Sequence, residues 1–196
     1  MPASLPRVAT METLTDRLTY ADLRAMPEDG TRYELIDGAL VMSPAPRPRH
    51  QDIVTELTAS LRLYTREHDL GKVYTAPIDL VLDLEAAAVQ PDVVFVATDR
   101  LSIITETHLE GTPSLVVEVV SPSSRRRDEQ TKRHLYAQHG VPEYWVVDPD
   151  ASTVQVFRLD ASARRYARAA ALVDGDTLTT PLVPDWSLSL ARLFAP

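Results

Sequence analysis

Apolar residues change their period several times along the chain, and each change marks a predicted element. Residues 1–18 mix Pro, Thr and charged residues without a repeat and read as a poorly ordered tail, leaving residues 19–196 as one domain. Thr19, with Asp22 three residues on, predicts a capping box at the start of a short helix that Pro27 and the Glu28-Asp29-Gly30 turn close. Two apolar-rich runs at 31–36 and 39–42 flank Asp37-Gly38, a two-residue hairpin signal. Over 50–70, Ile53, Val54, Leu57, Leu61 and Tyr64 recur at helical spacing, predicting a long amphipathic helix with Gly71 as its C-terminal cap.

Beyond that helix the pattern shifts to short β-branched runs at 72–74, 78–82, 92–96 and 114–120, which predict the strands of the sheet core. Ser121-Pro122-Ser123-Ser124 supplies caps for a helix through His139 that Gly140 ends, and 143–147 returns as an apolar strand. Residues 153–159 and 164–170 predict a closing antiparallel hairpin, followed by a short helix near 188–194. Strands alternating with helices, without an internal repeat, predict a single α/β domain.

Composition narrows the chemistry. With no cysteine among 196 residues, disulfides, thiolate metal sites and cysteine nucleophiles are excluded. No apolar run reaches the roughly 18 residues of a membrane span, and the N-terminal residues lack a signal peptide's apolar stretch, so a cytoplasmic protein without membrane contact is expected. The net charge of −8 argues against a surface coated with phosphate-binding groups. It leaves room for a local basic groove, because carboxylates gathered around a cation count as negative in a tally yet are neutralised by the ion. Gly-x-Ser-x-Gly and glycine-rich phosphate loops are both missing.

What remains is a set of acids in apolar surroundings. Asp92 opens the run Val93-Val94-Phe95-Val96, Glu118 sits inside Leu115-Val116-Val117-Glu118-Val119-Val120, and Glu34 lies between Tyr33 and Leu35. Burying a carboxylate costs several kcal/mol unless a cation or hydrogen bonds compensate it. Mg²⁺ or Mn²⁺ is a natural compensator, since hard ions take a few carboxylate oxygens, backbone carbonyls and water. Asp128, Lys132 and Tyr136 follow at four-residue intervals on one helix face, so the Lys132 ammonium could reach the site. Arg125, Arg126 and Arg127 at that helix start, and Arg47 and Arg49 before the long helix, could line a groove for a nucleic-acid backbone. Plainer readings stand beside these: Asp92 capping a turn after Pro91, Glu118 ion-paired with Lys132 or an arginine, His50 as a cap or core residue, the arginine triplet as a solvated helix start, and Tyr33, Tyr136, Tyr144 and Trp145 as core.

Taken in order, Tyr33-Glu34-Leu35-Ile36-Asp37-Gly38, the stretch from Ser43-Pro44 to His50-Gln51, Pro91-Asp92-Val93, Glu118-Val119-Val120-Ser121-Pro122-Ser123, the helix carrying Arg127-Asp128, Lys132 and Tyr136, and Gly140-Val141-Pro142-Glu143-Tyr144-Trp145-Val146-Val147-Asp148-Pro149 resemble the bacterial Uma family, over about residues 19–160. That family is classed as endonuclease-like, within the restriction-endonuclease superfamily named for its PD-(D/E)XK motif. The resemblance implies a central mixed sheet flanked by helices, with Asp92 and Glu118 as metal ligands and Glu34 as a supporting acid. The superfamily pattern places a lysine two residues after the second acid, where this chain has Val120, and Lys132 is the natural substitute. The expected activity is Mg²⁺-dependent hydrolysis of DNA, with Asp92, Glu118 and the Val119 carbonyl holding metal, Lys132 assisting the water, Glu34 holding a second metal or its water, and His50 or Gln51 orienting that water. Two other readings use the same residues: an inactive binding or scaffold protein, in the form of a homodimer, and a hydrolase of another phosphate ester.

Overall fold

The computed structural model describes residues 17–27, 30–43 and 45–195. The tail expected over 1–16, the Glu28-Asp29 part of the first closing turn, and Pro44 lie outside the described residues. Arg17 and Leu18, assigned to the tail by their composition, are instead docked on the first hairpin: the Leu18 N–H donates to the Gly38 carbonyl (2.9 Å) and Arg17 to that of Asp37.

In chain order, helix α1 (Tyr20–Arg24) opens with the Thr19–Asp22 capping box. Strands β1 (Arg32–Ile36) and β2 (Ala39–Ser43) are joined by Asp37 and Gly38, whose φ values of 52° and 78° are the left-handed pair that a two-residue turn needs. Helix α2 (Pro48–Glu67) starts on a proline, which has no N–H to leave unpaired there, and buries Ile53, Val54, Leu57 and Leu61. Strands β3 (Gly71–Thr75), β4 (Leu80–Asp83), β5 (Ala87–Val89), β6 (Val93–Ala97), β7 (Leu109–Glu110) and β8 (Leu115–Val119) follow. A π-wound turn, Arg127–Lys132, runs directly into α3 (Arg133–Gln138) and returns the chain to β9 (Glu143–Asp148). The chain closes with β10 (Thr153–Asp160), β11 (Arg165–Leu172), β12 (Thr177–Thr179), β13 (Ser187–Ser189) and α4 (Leu190–Leu193).

Six strands form the main sheet in the order β11-β10-β9-β8-β6-β3, and β8 and β9 are its parallel pair. A parallel pair needs a crossover, which the π turn and α3 supply. A second sheet, β2-β1-β5-β4-β7, packs beside the crossover side. Both faces of the main sheet are therefore covered. On one, Val117, Val119, Trp145 and Val147 pack with Ile53, Leu57 and Leu61 of α2 and with Trp186; on the other, Val116, Tyr144 and Val146 pack with Leu135 and Tyr136 of α3 and with Leu80. Two-sided burial is why β8 and β9 read as continuous apolar runs rather than as alternating strands. Strand alternation puts Glu118 on the face of Val116, toward α3.

The structure differs from the sequence expectation at several points. The second predicted strand begins at Leu80 rather than at residue 78, and β5, β7, β12 and β13 are two- or three-residue pairings too short to leave a period. Leu188 belongs to β13, so the last helix starts at Leu190. Gly71 does not cap α2: Asp69 takes the left-handed φ of 52°, while Gly71 opens β3 at φ 144°. Its glycine is required by a close approach, because a Cβ there would collide with the Val96 carbonyl oxygen and lie 2.8 Å from the Ala97 Cα. Gly71→Ala is expected to lower unfolding free energy by about 2–4 kcal/mol through strain and overpacking. Urea unfolding checks this, and a change below about 0.5 kcal/mol would contradict the packing described.

Candidate functional site

The main pocket, of about 350 Å³, opens where β8 ends and the crossover begins, and is lined by Asp92, Glu118, Val119, Asp128 and Lys132 below and by Arg32, Arg47, His50 and Arg127 around its mouth. The C-terminal end of a parallel strand is where open α/β sheets place ligands.

Glu118 reaches this pocket from the last turn of β8's pleat and is nearly closed to solvent. Its Oε1 accepts from Lys132 Nζ (2.9 Å) and from the Tyr136 hydroxyl (2.7 Å). Both donors come from the crossover helix, and π winding sets their phase. Lys132 is itself buried, and its ammonium also donates to Glu34 Oε1 (2.7 Å) while lying 4.0 Å from Asp128 Oδ1. Glu34, on β1, accepts in addition from the Gln90 N–H (2.9 Å) and from the Ser43 hydroxyl (3.1 Å). Asp92 comes from the residue before β6: its Oδ2 accepts from the Val119 N–H (2.9 Å), His50 Nε2 lies 3.1 Å from the same oxygen, and Arg32 Nη1 lies 3.7 Å from Oδ1.

These contacts set the charge states. Burial pushes the Glu34 carboxyl up, but the Lys132 ammonium and the Gln90 N–H bring it below its ordinary value. Asp92 follows the same balance: burial raises it, and the hydrogen bond and charge of His50, the Val119 N–H and Arg32 hold it low. Glu118 goes the other way, to about 8, because burial and the negative charges of Asp128, Asp92 and Glu34 outweigh Lys132. Asp128 is likewise raised, chiefly by burial. Burial disfavours the Lys132 ammonium, yet Glu118, Glu34 and Asp128 together push its pKa above the ordinary lysine value. Lys132 is therefore a fixed cation.

The structure thus brings Asp92, Glu118, Val119, Lys132 and His50 to one pocket, and places Glu34 behind Lys132 rather than in the cavity. Glu34, expected to hold a second metal or to hydrogen-bond its water, has both oxygens engaged by protein donors and is closed to solvent. Gln51 lines two neighbouring clefts and not this pocket. Among the arginines, Arg49 donates to the carbonyls of Phe194 and Ala195, and Arg125 pairs with Asp148, so neither has its full set of donors to offer. Arg126 is exposed and lies off the pocket lining, whereas Arg47 and Arg127 line it. Arg32, Ser43 and Gln90 were not singled out from the sequence as parts of the site. The available signal was the period of two, which puts Arg32 on the same face of β1 as Glu34.

Among the described residues, no group of three or more His, Asp or Glu side chains converges as a metal cage. Two carboxylates, however, each keep an oxygen without a hydrogen-bond donor among the described residues: Asp92 Oδ1, with only the 3.7 Å ion pair, and Glu118 Oε2. Two hard oxygen donors at an open pocket suit Mg²⁺, which binds through one or two carboxylates, water and substrate phosphate and does not need an all-protein cage. Burial raises Glu118 most and repulsion from Asp128, Asp92 and Glu34 adds to it; a cation between these acids would offset both.

Residues 20–191 match the model of the Uma2 family, described as "Putative restriction endonuclease". A crystal structure of a "putative nuclease belonging to DUF820" from Anabaena variabilis superposes with a TM-score of 0.73 at 18% identity, covering 90% of this chain and 97% of that one, and shows a shared fold. The type IIG restriction endonuclease BpuSI gives a TM-score of 0.41 at 15% identity over 79% of this chain and 17% of that one, a likeness on which nothing here rests. No curated protein matches the chain.

The raised Glu118 carboxyl has a consequence for stability. The folded chain holds this proton more tightly than the unfolded one, so its contribution is fully present below the ordinary glutamate range and is lost as pH rises toward about 8. In EDTA, Glu118→Gln is expected to melt above the wild type at pH 8 and to lose that advantage near pH 5, as measured by thermal unfolding across pH. Parallel pH profiles for the two proteins would contradict the electrostatics given above.

Proposed function

This chain belongs to the Uma2 family, and from that premise we propose that it hydrolyses phosphodiester bonds of DNA with Mg²⁺ or Mn²⁺ as cofactor. The observation that carries the reading is the pocket floor: Asp92 and Glu118 each with an unbonded oxygen, beside a lysine locked as a cation. Asp92, Glu118 and the Val119 carbonyl would hold the metal, which would polarise the phosphate and lower the pKa of the attacking water.

The remaining roles fall to the protein's own groups. Lys132, held protonated, is unsuited to take a proton from water; its ammonium orients the water and offsets the negative charge that develops on the phosphate oxygens. Glu34 fixes the lysine, because an ammonium tied to a second, fully hydrogen-bonded carboxylate cannot turn away from Glu118. The Tyr136 hydroxyl and Lys132 both bind Glu118 Oε1, which leaves Oε2 as the metal-facing oxygen. The Val119 N–H and His50 do the same for Asp92 by occupying Oδ2. His50 is thus a positioning residue acting through Asp92.

One observation favours the scaffold reading: each acid already has a protein cation near it, Lys132 at Glu118 and Arg32 at Asp92. A single experiment separates the two. By calorimetry with Mn²⁺, the hydrolase reading expects binding that is lost in Asp92→Ala and Glu118→Ala, together with loss of DNA cleavage in both. A wild type that binds no metal, or full cleavage by both variants, would overturn the nuclease reading. Lys132→Met is expected to lower the cleavage rate by about 10²–10³-fold, the effect of losing one donor aimed at developing charge. It should also destabilise the fold by about 3–5 kcal/mol, since Glu34 and Glu118 are left unpaired in the interior.

A further inference from the structure

Arg32 has so far served only as a nearby charge for Asp92, yet it lines three cavities. It lines the main pocket, a groove of about 670 Å³ that includes Arg24, Pro46 and Gln51, and a cleft of about 300 Å³ shared with His50 and Asp92. Pro46 also lines both the main pocket and the large groove. The Arg32 guanidinium is only partly engaged. Nη2 donates to the Gln90 carbonyl, Nη1 is 3.7 Å from Asp92 Oδ1, beyond hydrogen-bond distance, and Nε is closed to water with no acceptor among the described residues. Arg49, in contrast, has both terminal nitrogens bound to backbone carbonyls, and Arg125 donates from Nη1 to Asp148. A guanidinium with unmet donors beside a catalytic pocket matches a phosphate, whose oxygens accept paired N–H bonds.

We infer that Arg32 binds a backbone phosphate next to the one cleaved, and that the polynucleotide strand passes from the main pocket over Arg32 into the groove lined by Arg24 and Gln51. The inference rests on the nucleic-acid reading of the pocket and extends it to the path of the strand. Arg32 contributes grip without reading bases, since phosphate contacts fix register but carry no sequence information. Its position on β1, two residues from Glu34, couples that grip to the strand that anchors Lys132.

The test is binding of a fluorescently labelled DNA duplex, and of its single strand, measured by anisotropy as a function of salt. Ca²⁺ serves as the metal because it favours the same oxygen ligands, and the readout is affinity rather than turnover. Arg32→Gln is expected to bind several-fold more weakly irrespective of sequence, with the salt slope smaller by about 1. An unchanged affinity and slope would overturn the inference while leaving the nuclease reading intact. If the wild type binds neither DNA form, in Ca²⁺ or in Mg²⁺, the inference and the nuclease reading fall together. Should Arg32→Gln not fold for want of a counter-charge to Asp92, Arg32→Lys supplies the charge. It is expected to bind more weakly than the wild type, because an ammonium lacks the planar fork that pairs two parallel N–H bonds with a phosphate. Wild-type affinity in that variant would overturn the role given to the guanidinium.

Discussion

A single buried ammonium holds the functional end of this molecule together. Lys132 is closed to solvent and bridges Glu34 of the second sheet to Glu118 of the main one. An isolated charge at that depth would cost several kcal/mol, and so would either carboxylate alone. Each therefore depends on the others. The triad sets the spacing between two sheets and the crossover helix, and it keeps Lys132 protonated. Burial, together with the negative charges of Asp128, Asp92 and Glu34, outweighs the lysine and pushes Glu118 up to about 8. An imbalance of that kind is a poor way to stabilise a fold and a suitable way to hold a divalent cation.

The two sheets differ in what they contribute. The six-stranded sheet, buried on both faces, supplies rigid positions for Asp92 and Glu118, while the five-stranded one contributes Glu34 and Arg32 on adjacent inward positions of β1. The π-wound turn between β8 and α3 holds Lys132 and Asp128, and π turns are often found at functional sites. The acidic net charge is compatible with a nucleic-acid substrate because Arg32, Arg47 and Arg127 line the pocket alongside its buried carboxylates.

Much of this was legible in the sequence, for identifiable reasons. The Thr19–Asp22 cap, the Asp37-Gly38 turn and the stripe of Ile53, Leu57 and Leu61 are local signals, and each element they predict is present. Asp92 and Glu118 stood out because acids inside β-branched runs need a partner, and the structure places both at one pocket with Lys132. What escaped depends on non-local contact. The Gly71 approach to Val96 involves a neighbouring strand, the π winding has no periodic signature in six residues, and β5, β7, β12 and β13 are too short to show one. The sequence marks Glu34 as a supporting acid, for a second metal or its water, but does not show its neighbours; Gln90 and Ser43, distant along the chain, complete its hydrogen bonds beside Lys132.

The central claim is that the unbonded oxygens of Asp92 and Glu118 share a divalent cation above a lysine that stays protonated. The most direct test is a crystal structure of the chain soaked with Mn²⁺, recorded for anomalous scattering. The account predicts a peak within coordination distance of Asp92 Oδ1 and Glu118 Oε2, with Lys132 still bridging Glu34 and Glu118. No peak at occupancy-saturating Mn²⁺, with Arg32 drawn into a direct hydrogen bond with Asp92, would contradict it and leave a structural ion-pair network in place of a metal centre.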